Sequence, residues 1–156
     1  MIKRIIKASL AALSIGIVFL IILPFAFVKL GEALNLPEVP SSKIIGTLLF
    51  LIGILIFFHC SYLFIKKGKG TPAPMHPPQK LVPDNIYKYT RNPMYIGYLS
   101  MIFGEVFLFG RLSLTIYAAI MIFTIHSYVV LFEEPKLEKR FGESYKDYKR
   151  KIPRWI

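Results

Sequence analysis

Four apolar stretches alternate with polar segments along the chain. The first runs from Ala8 to Val28 and is interrupted by Pro24, the second from Ile44 to Ile65, the third from Met94 to Phe109, and the fourth from Leu112 to Phe132. About 20 apolar residues are needed to cross a hydrocarbon core of about 30 Å. The first, second and fourth stretches meet that length; the third is short and meets it only if thin or tilted. Gly110-Arg111 leaves room for nothing but a tight turn, so the last two stretches are expected to form an antiparallel hairpin. The pattern predicts an all-α integral membrane protein, one domain over 1–156. Its four transmembrane helices lie at about 8–28, 44–65, 94–109 and 112–132, the last two as a C-terminal helical hairpin. A cytoplasmic loop covers 66–93, and an amphipathic C-terminal helix and tail cover 133–156.

Composition agrees with that pattern. Hydrophobic residues make up 54% and charged residues 19%, with a mean hydropathy of +0.52, whereas a soluble domain carries about a quarter charged residues. The same figures exclude disorder. One cysteine, Cys60, excludes an internal disulfide framework or a cysteine-cluster metal site.

The basic residues set the expected orientation. Lys3, Arg4 and Lys7 precede the first span; Lys66, Lys67, Lys69, Lys80, Lys88 and Arg91 lie between the second and third. Lys136, Lys139, Arg140, Lys146, Lys149, Arg150, Lys151 and Arg154 follow the fourth. With four crossings these groups share one side, leaving Lys29, Lys43 and Arg111 opposite. The positive-inside rule then places both termini and the long loop in the cytoplasm, with the cell membrane as the expected location. A cleaved signal peptide is the rival reading of the first span. Its apolar run is too long, and Pro24-Phe25-Ala26-Phe27 is a poor cleavage site. The net charge of +11 sits beside membrane spans, so anionic lipid headgroups, not nucleic acid, are the expected partners.

The loop carries Pro72, Pro74, Pro77, Pro78 and Pro83, which predicts a stiff, extended chain, longer than a plain connector needs. After the fourth span, Glu133-Glu134-Pro135 reads as a helix break followed by a new helix. In that helix Phe141, Tyr145 and Tyr148 recur on one side with Lys139, Lys146, Lys149 and Arg150 elsewhere, as in a basic helix lying at the interface.

No metalloprotease, P-loop or dinucleotide-binding pattern is present, and no nucleophile elbow. His59, His76 and His126 are scattered, so no metal site is expected. Polar residues concentrate instead at Arg91-Asn92-Pro93-Met94-Tyr95, where the third span begins, and at Glu133-Glu134, where the fourth ends. The hairpin returns both to one membrane face, among Tyr87, Tyr89, Tyr95, Tyr145 and Tyr148. Two readings stay open on these residues alone: an interfacial belt of tyrosines with snorkelling charges, or a built pocket, which the loop prolines and the paired acids favour. Carboxylates, a guanidinium and aromatic faces suit a zwitterionic, partly aromatic ligand, including an onium cation. Glu105, inside the third span, is an intramembrane acid about three turns from Tyr95 and so is expected to stand outside the site.

In order, Gly70-Thr71-Pro72-Ala73-Pro74, Leu81-Val82, Tyr87, Arg91-Asn92-Pro93-Met94-Tyr95-Ile96-Gly97, Glu133-Glu134-Pro135, Phe141-Gly142, Tyr145, Tyr148 and Pro153-Arg154 resemble the isoprenylcysteine carboxyl methyltransferase family, within the wider group that includes phospholipid N-methyltransferases. The resemblance covers residues 68–155. It implies S-adenosylmethionine as cofactor, with Gln79, Lys80, Leu81 and Val82 lining the adenosyl site. Tyr87, Asn92, Pro93, Met94 and Tyr95 would also contact the cofactor, with Glu133 and Glu134 as the acid pair beside it. Arg91 and Tyr95 are the implied catalytic residues: Arg91 neutralising an anionic acceptor or the cofactor carboxylate, Tyr95 next to the reacting centre. The family often has His where this chain has Asn92, and places an arginine four residues before the matching glutamate, where this chain has Val129. The expected activity is methyl transfer to a lipophilic acceptor, such as an isoprenylcysteine-like carboxylate. A phospholipid, small amine or thiol is the alternative acceptor; a nicotinamide-dependent membrane reductase and a non-catalytic membrane adaptor are readings of other classes.

Overall fold

The computed structural model describes residues 14–68 and 81–156, and these are helical with short connections. Helix α1 spans Ser14–Ala33, α2 Lys43–Lys66, α3 Pro93–Phe109 and α4 Leu112–Phe141. A last helix, α5, covers Glu143–Lys151, and one turn of 3-10 helix covers Asn85–Lys88. Helices α1, α2 and α4 are long and apolar enough to cross a membrane. At 17 residues α3 is shorter, about 25 Å at 1.5 Å per residue. The described residues form an all-helical fold with three helices of membrane-spanning length, that of an all-α integral membrane protein.

Pro24 does not break α1. A π-turn at Val18–Ile22 precedes it, with the Leu23 N–H bonded to the Val18 carbonyl. Widening the turn relieves the clash that a proline ring makes with the carbonyl one turn back. It also leaves the Phe19 carbonyl facing a proline with no N–H to offer. Tyr117 of α4 supplies the missing donor, its Oη 2.6 Å from the Phe19 oxygen. Tyr117 is buried among Ile102, Val106, Leu114, Ala118, Met121, Ile125 and Val129, the core that α3 and α4 build and that Phe19, Leu23, Phe27 and Val28 of α1 close. Helix α1 ends at Asn35 with φ +52°, and the Leu36 N–H returns to the Gly31 carbonyl at 2.9 Å.

Helices α2 and α3 approach through glycine. A Cβ on Gly46 would lie 2.8 Å from the Gly104 carbonyl, and one on Gly104 2.9 Å from the Gly46 carbonyl; Gly53 and Gly97 face each other in the same way. The seven-residue spacing on both helices keeps the two contacts on one seam. The opposite side of α2, with Ile44, Leu48, Leu51, Leu55 and Phe58, is exposed, as a lipid-facing side requires.

Helices α3 and α4 form the expected hairpin. Gly110, at φ +57°, caps α3, and α4 starts at Leu112. Residues 37–42 brace this turn: the Val39 N–H donates to the Gly110 carbonyl and the Ser42 N–H to the Phe107 carbonyl, each at 2.9 Å. Arg111 pairs with Glu38 at 3.2 Å.

Two expectations need correction. Glu133-Glu134-Pro135 is not a break, because a second π-turn, Val129–Glu133, carries α4 through the proline to Phe141, as at Pro24. The helix expected after the fourth span is instead split at Gly142, φ +57°, into the end of α4 and a separate α5. The aromatic side of α5 is turned into the protein, not the bilayer: Tyr145 and Tyr148 are 2% and 8% exposed. Lys3, Arg4, Lys7, the start of the first span and the proline-rich run with His76 lie outside the described residues.

Candidate functional site

The first turn of α3 meets the later part of α4. Pro93, buried, opens α3 where its missing N–H costs nothing, and this sets Arg91 and Asn92 just before the helix and Tyr95 in its first turn. The Tyr95 Oη donates to Glu133 Oε2 at 2.6 Å. One residue on, Glu134 sits 5% exposed against Arg91, itself 7% exposed, with Arg91 Nη1 2.8 Å from Glu134 Oε1. Adjacent residues of a regular helix point about 100° apart. The wider π-turn closes that angle, so both acids face inward.

Glu134 is engaged on both oxygens. Arg154 grips it side-on, Nε donating to Oε1 at 2.8 Å and Nη2 to Oε2 at 3.0 Å, while Lys149 Nζ stands 3.9 Å from Oε2. Arg91 touches Glu134 out of line for a hydrogen bond, so its buried Nε and Nη1 have no hydrogen-bond partner among the described residues. Arg154 is held above its ordinary value by its hydrogen bond to Glu134.

The segment after α5 is tied to the same corner. The Arg91 N–H donates to the Pro153 carbonyl at 3.0 Å, and the Arg154 carbonyl accepts from Thr90 Oγ1 and Asn92 Nδ2, both at 3.0 Å. Trp155 Nε1 donates to His126 Nδ1 at 3.1 Å, with the two rings 6.2 Å apart.

A third group backs the corner. Val82 and Tyr87 are buried with Cys60 and Leu63 of α2, and Met94, Ile86, Ile56 and Phe64 pack on them. Tyr87 stacks on Phe64 at 5.6 Å between centroids, and Tyr148 Oη donates to the Tyr87 carbonyl at 2.7 Å. Burial pushes the phenols of Tyr87 and Tyr148 above their ordinary value, so both remain donors. The Tyr87 hydroxyl has no hydrogen-bond partner among the described residues.

Of the residues singled out from sequence, Val82, Tyr87 and Met94 gather in this backing group. Arg91, Asn92, Pro93, Tyr95, Glu133 and Glu134 gather at the corner. Leu81 is half-buried beside Val82, and Gln79 and Lys80 lie outside the described residues. Val129 is wholly buried in the core and offers no charge. Glu105, 6% exposed and with no hydrogen-bond partner for Oε2 among the described residues, stands apart in α3. Sequence reasoning assigned no role to Thr90, Arg154 or Trp155, although the run Ile152-Pro153-Arg154-Trp155-Ile156 sets one cation among apolar neighbours. A cleft of about 520 Å³ opens beside Glu134, Arg154 and Lys149, with Val130, Pro135, Glu138 and Lys139 on its walls. Another, of about 680 Å³, lies between α2 and the 3-10 turn, lined by His59, Lys67, Asp84, Asn85, Ile86, Lys88 and Tyr89.

A family model described as phospholipid methyltransferase matches residues 41–144. The protein-S-isoprenylcysteine O-methyltransferase of Schizosaccharomyces pombe is 34% identical over 76 residues, 49% of this chain and 32% of that protein. An uncharacterized protein of Haemophilus influenzae is 30% identical over 63 residues, 40% of this chain and the whole of that protein. The chain thus spans about a third of the S. pombe relative. No solved structure matches it significantly. These matches bear out the resemblance carried by the motifs between Gly68 and Trp155.

Proposed function

The chain belongs to the phospholipid methyltransferase family, and from that membership we propose that it is a multi-pass membrane methyltransferase that takes its methyl group from S-adenosylmethionine and passes it to a lipophilic acceptor. The observation that carries this reading is the meeting of Tyr95 with Glu133 beside the Arg91–Glu134 pair, two remote segments joined at one end of a helical hairpin. Four crossings, with α3 as a short third span, put this corner on the cytoplasmic side of the cell membrane together with both termini; the distribution of Lys and Arg supports that orientation.

The side chains present suit the cofactor. The buried Nε of Arg91 has no hydrogen-bond partner among the described residues, and such a donor fits a carboxylate. Glu133, with one oxygen on Tyr95, is the carboxylate placed to accept from a hydroxyl or ammonium group. The ring of Tyr95 offers a face for an onium cation, Tyr87 backs it from the buried group, and Val82 and Met94 offer an apolar wall. Glu134, held by Arg154 and Arg91, serves as the counter-charge that keeps Arg91 in place. The family resemblance assigns Gln79, Lys80 and Leu81 to the adenosyl side, and Asn92 and Pro93 fix the turn.

When bound, S-adenosylmethionine supplies an activated sulfonium methyl group. The protein's share is alignment, an effect of up to about 7–11 kcal/mol when two reactants are held in line. Arg91 holds an anion, Tyr95 orients Glu133, and the buried Tyr87–Phe64 stack excludes water. A carboxylate acceptor of the isoprenylcysteine kind needs no base. An amine acceptor must lose a proton, and Glu133, oriented by Tyr95, is the group to receive it. Val129, uncharged and buried where the isoprenylcysteine enzymes are expected to carry an arginine, favours the second reading, a phospholipid or small amine.

Calorimetric titration of detergent-purified protein with S-adenosylhomocysteine tests the reading. Saturable heat in the wild type, lost in Glu133→Ala, is expected. Folded wild type that gives no heat overturns it, and stabilisation by a nicotinamide dinucleotide alone assigns the protein to the reductase class.

A further inference from the structure

Two guanidiniums and the Lys149 ammonium surround one carboxylate, and Glu138 draws Lys149 aside at 3.3 Å. The two arginines share that carboxylate unequally. Arg154 makes a two-point grip, the strong geometry for a guanidinium on a carboxylate, while Arg91 has only an off-line contact through Nη1, and its Nε has no hydrogen-bond partner among the described residues. The partition is set by the backbone of 153–155: its carbonyls are fastened to Thr90, Arg91 and Asn92 in succession, and Trp155 fastens it to His126 on α4.

We propose that the Pro153–Trp155 segment is a strap that positions Arg91 for ligand, with Arg154 occupying Glu134 so that the Nε donor of Arg91 stays open for a substrate or cofactor carboxylate while its Nη1 rests against Glu134. This rests on the methyltransferase reading. Without Arg154, Glu134 has both oxygens free to close on Arg91, and the open donor is lost although neither residue has changed. Arg154 is thus a positioning residue, acting through Glu134. The carboxylate has two sources, the amino-acid end of the cofactor or an acidic acceptor.

Calorimetric titration separates them. In one arm, wild type, Arg154→Ala, Arg154→Lys and the double variant Arg154→Ala/Glu134→Gln are titrated with S-adenosylhomocysteine and with its decarboxylated analogue. In the other, they are titrated with an S-prenylated N-acetylcysteine and with its amide. In the arm that supplies the carboxylate, Arg154→Ala weakens the acid by about tenfold, the scale of one charge-assisted hydrogen bond, and leaves the ligand lacking the carboxylate unchanged. The double variant recovers the lost affinity because a neutral amide in place of the Glu134 carboxylate no longer competes for Arg91, a recovery that general damage to the fold does not produce. If Arg154→Ala does not fold, Arg154→Lys, which keeps the charge but not the two-point grip, shows the same selectivity at smaller amplitude. Equal weakening of acid and non-acid ligands in both arms, or none, overturns the strap while leaving the methyltransferase reading intact. Wild type that binds neither S-adenosylhomocysteine nor its analogue overturns that reading itself.

Discussion

Tyr95 and Glu133, 38 residues apart in the chain, are joined by a 2.6 Å hydrogen bond across the α3–α4 hairpin. The bond joins the first turn of one helix to the π-turn of the other, so each residue's usefulness depends on the other's position. Tyr95→Phe and Glu133→Gln are therefore expected to be strongly non-additive. A double-mutant cycle on S-adenosylhomocysteine affinity and on melting in detergent yields a coupling of about 1–3 kcal/mol, as for a hydrogen bond to a charged group.

Glu134 holds two arginines, so its loss is worse than the loss of either. Glu134→Ala leaves Arg91 buried and unpaired and lowers stability by about 3–5 kcal/mol, the cost of breaking a buried pair from one side. Arg154→Ala, which leaves Glu134 paired with Arg91, costs less. Denaturation of the purified variants in detergent gives the order.

The α2–α3 seam tolerates no Cβ. Gly53→Ala drives a methyl group into the Gly97 carbonyl and the Met101 backbone, and destabilises by about 1–3 kcal/mol. Gly16→Ala in α1 meets nothing within 4 Å and is neutral or stabilising by up to about 1 kcal/mol. Melting temperatures of the two variants, measured side by side, check the contrast.

Tyr117 answers a carbonyl orphaned by Pro24. Tyr117→Phe costs about 1–3 kcal/mol, the penalty of a buried unsatisfied acceptor. Pro24→Ala restores a helical donor, so the same Tyr117→Phe change costs less in the Pro24→Ala background. Melting of the four proteins in the cycle reads the difference.

Burial raises the phenol of Tyr148, which donates to the Tyr87 carbonyl. A group whose folded pKa lies above its unfolded value contributes fully below the unfolded value, about 10 for tyrosine. That stability is lost as the pH rises further, toward the folded value. The melting temperature therefore falls above about pH 10, and falls less steeply in Tyr148→Phe.

The helices and the corner were legible for different reasons. Apolar runs of span length, the two-residue gap at Gly110-Arg111 and the paired clusters at 91–95 and 133–134 are local features, and together they imply that the clusters meet. The course of α4 through Pro135 was not legible, since a proline after two acids ordinarily reads as a new helix. Only the π-turn, stabilised by the packing of Val129 in the core, lets the helix continue. The turning of Tyr145 and Tyr148 toward the protein depends on the kink at Gly142, which periodicity along a single helix does not reveal. The role of Arg154 was hidden because its partners are 20 residues back at Glu134 and more than 60 back at Thr90 and Asn92.

Ultraviolet cross-linking of methyl-labelled S-adenosylmethionine to the detergent-purified protein, followed by peptide mapping, tests most directly whether the two remote segments form one cofactor site. The account predicts label on peptides from both 81–95 and 133–134, suppressed by excess S-adenosylhomocysteine and absent from Glu133→Ala. Label confined to one segment, or competed label found only elsewhere in the chain, would contradict it.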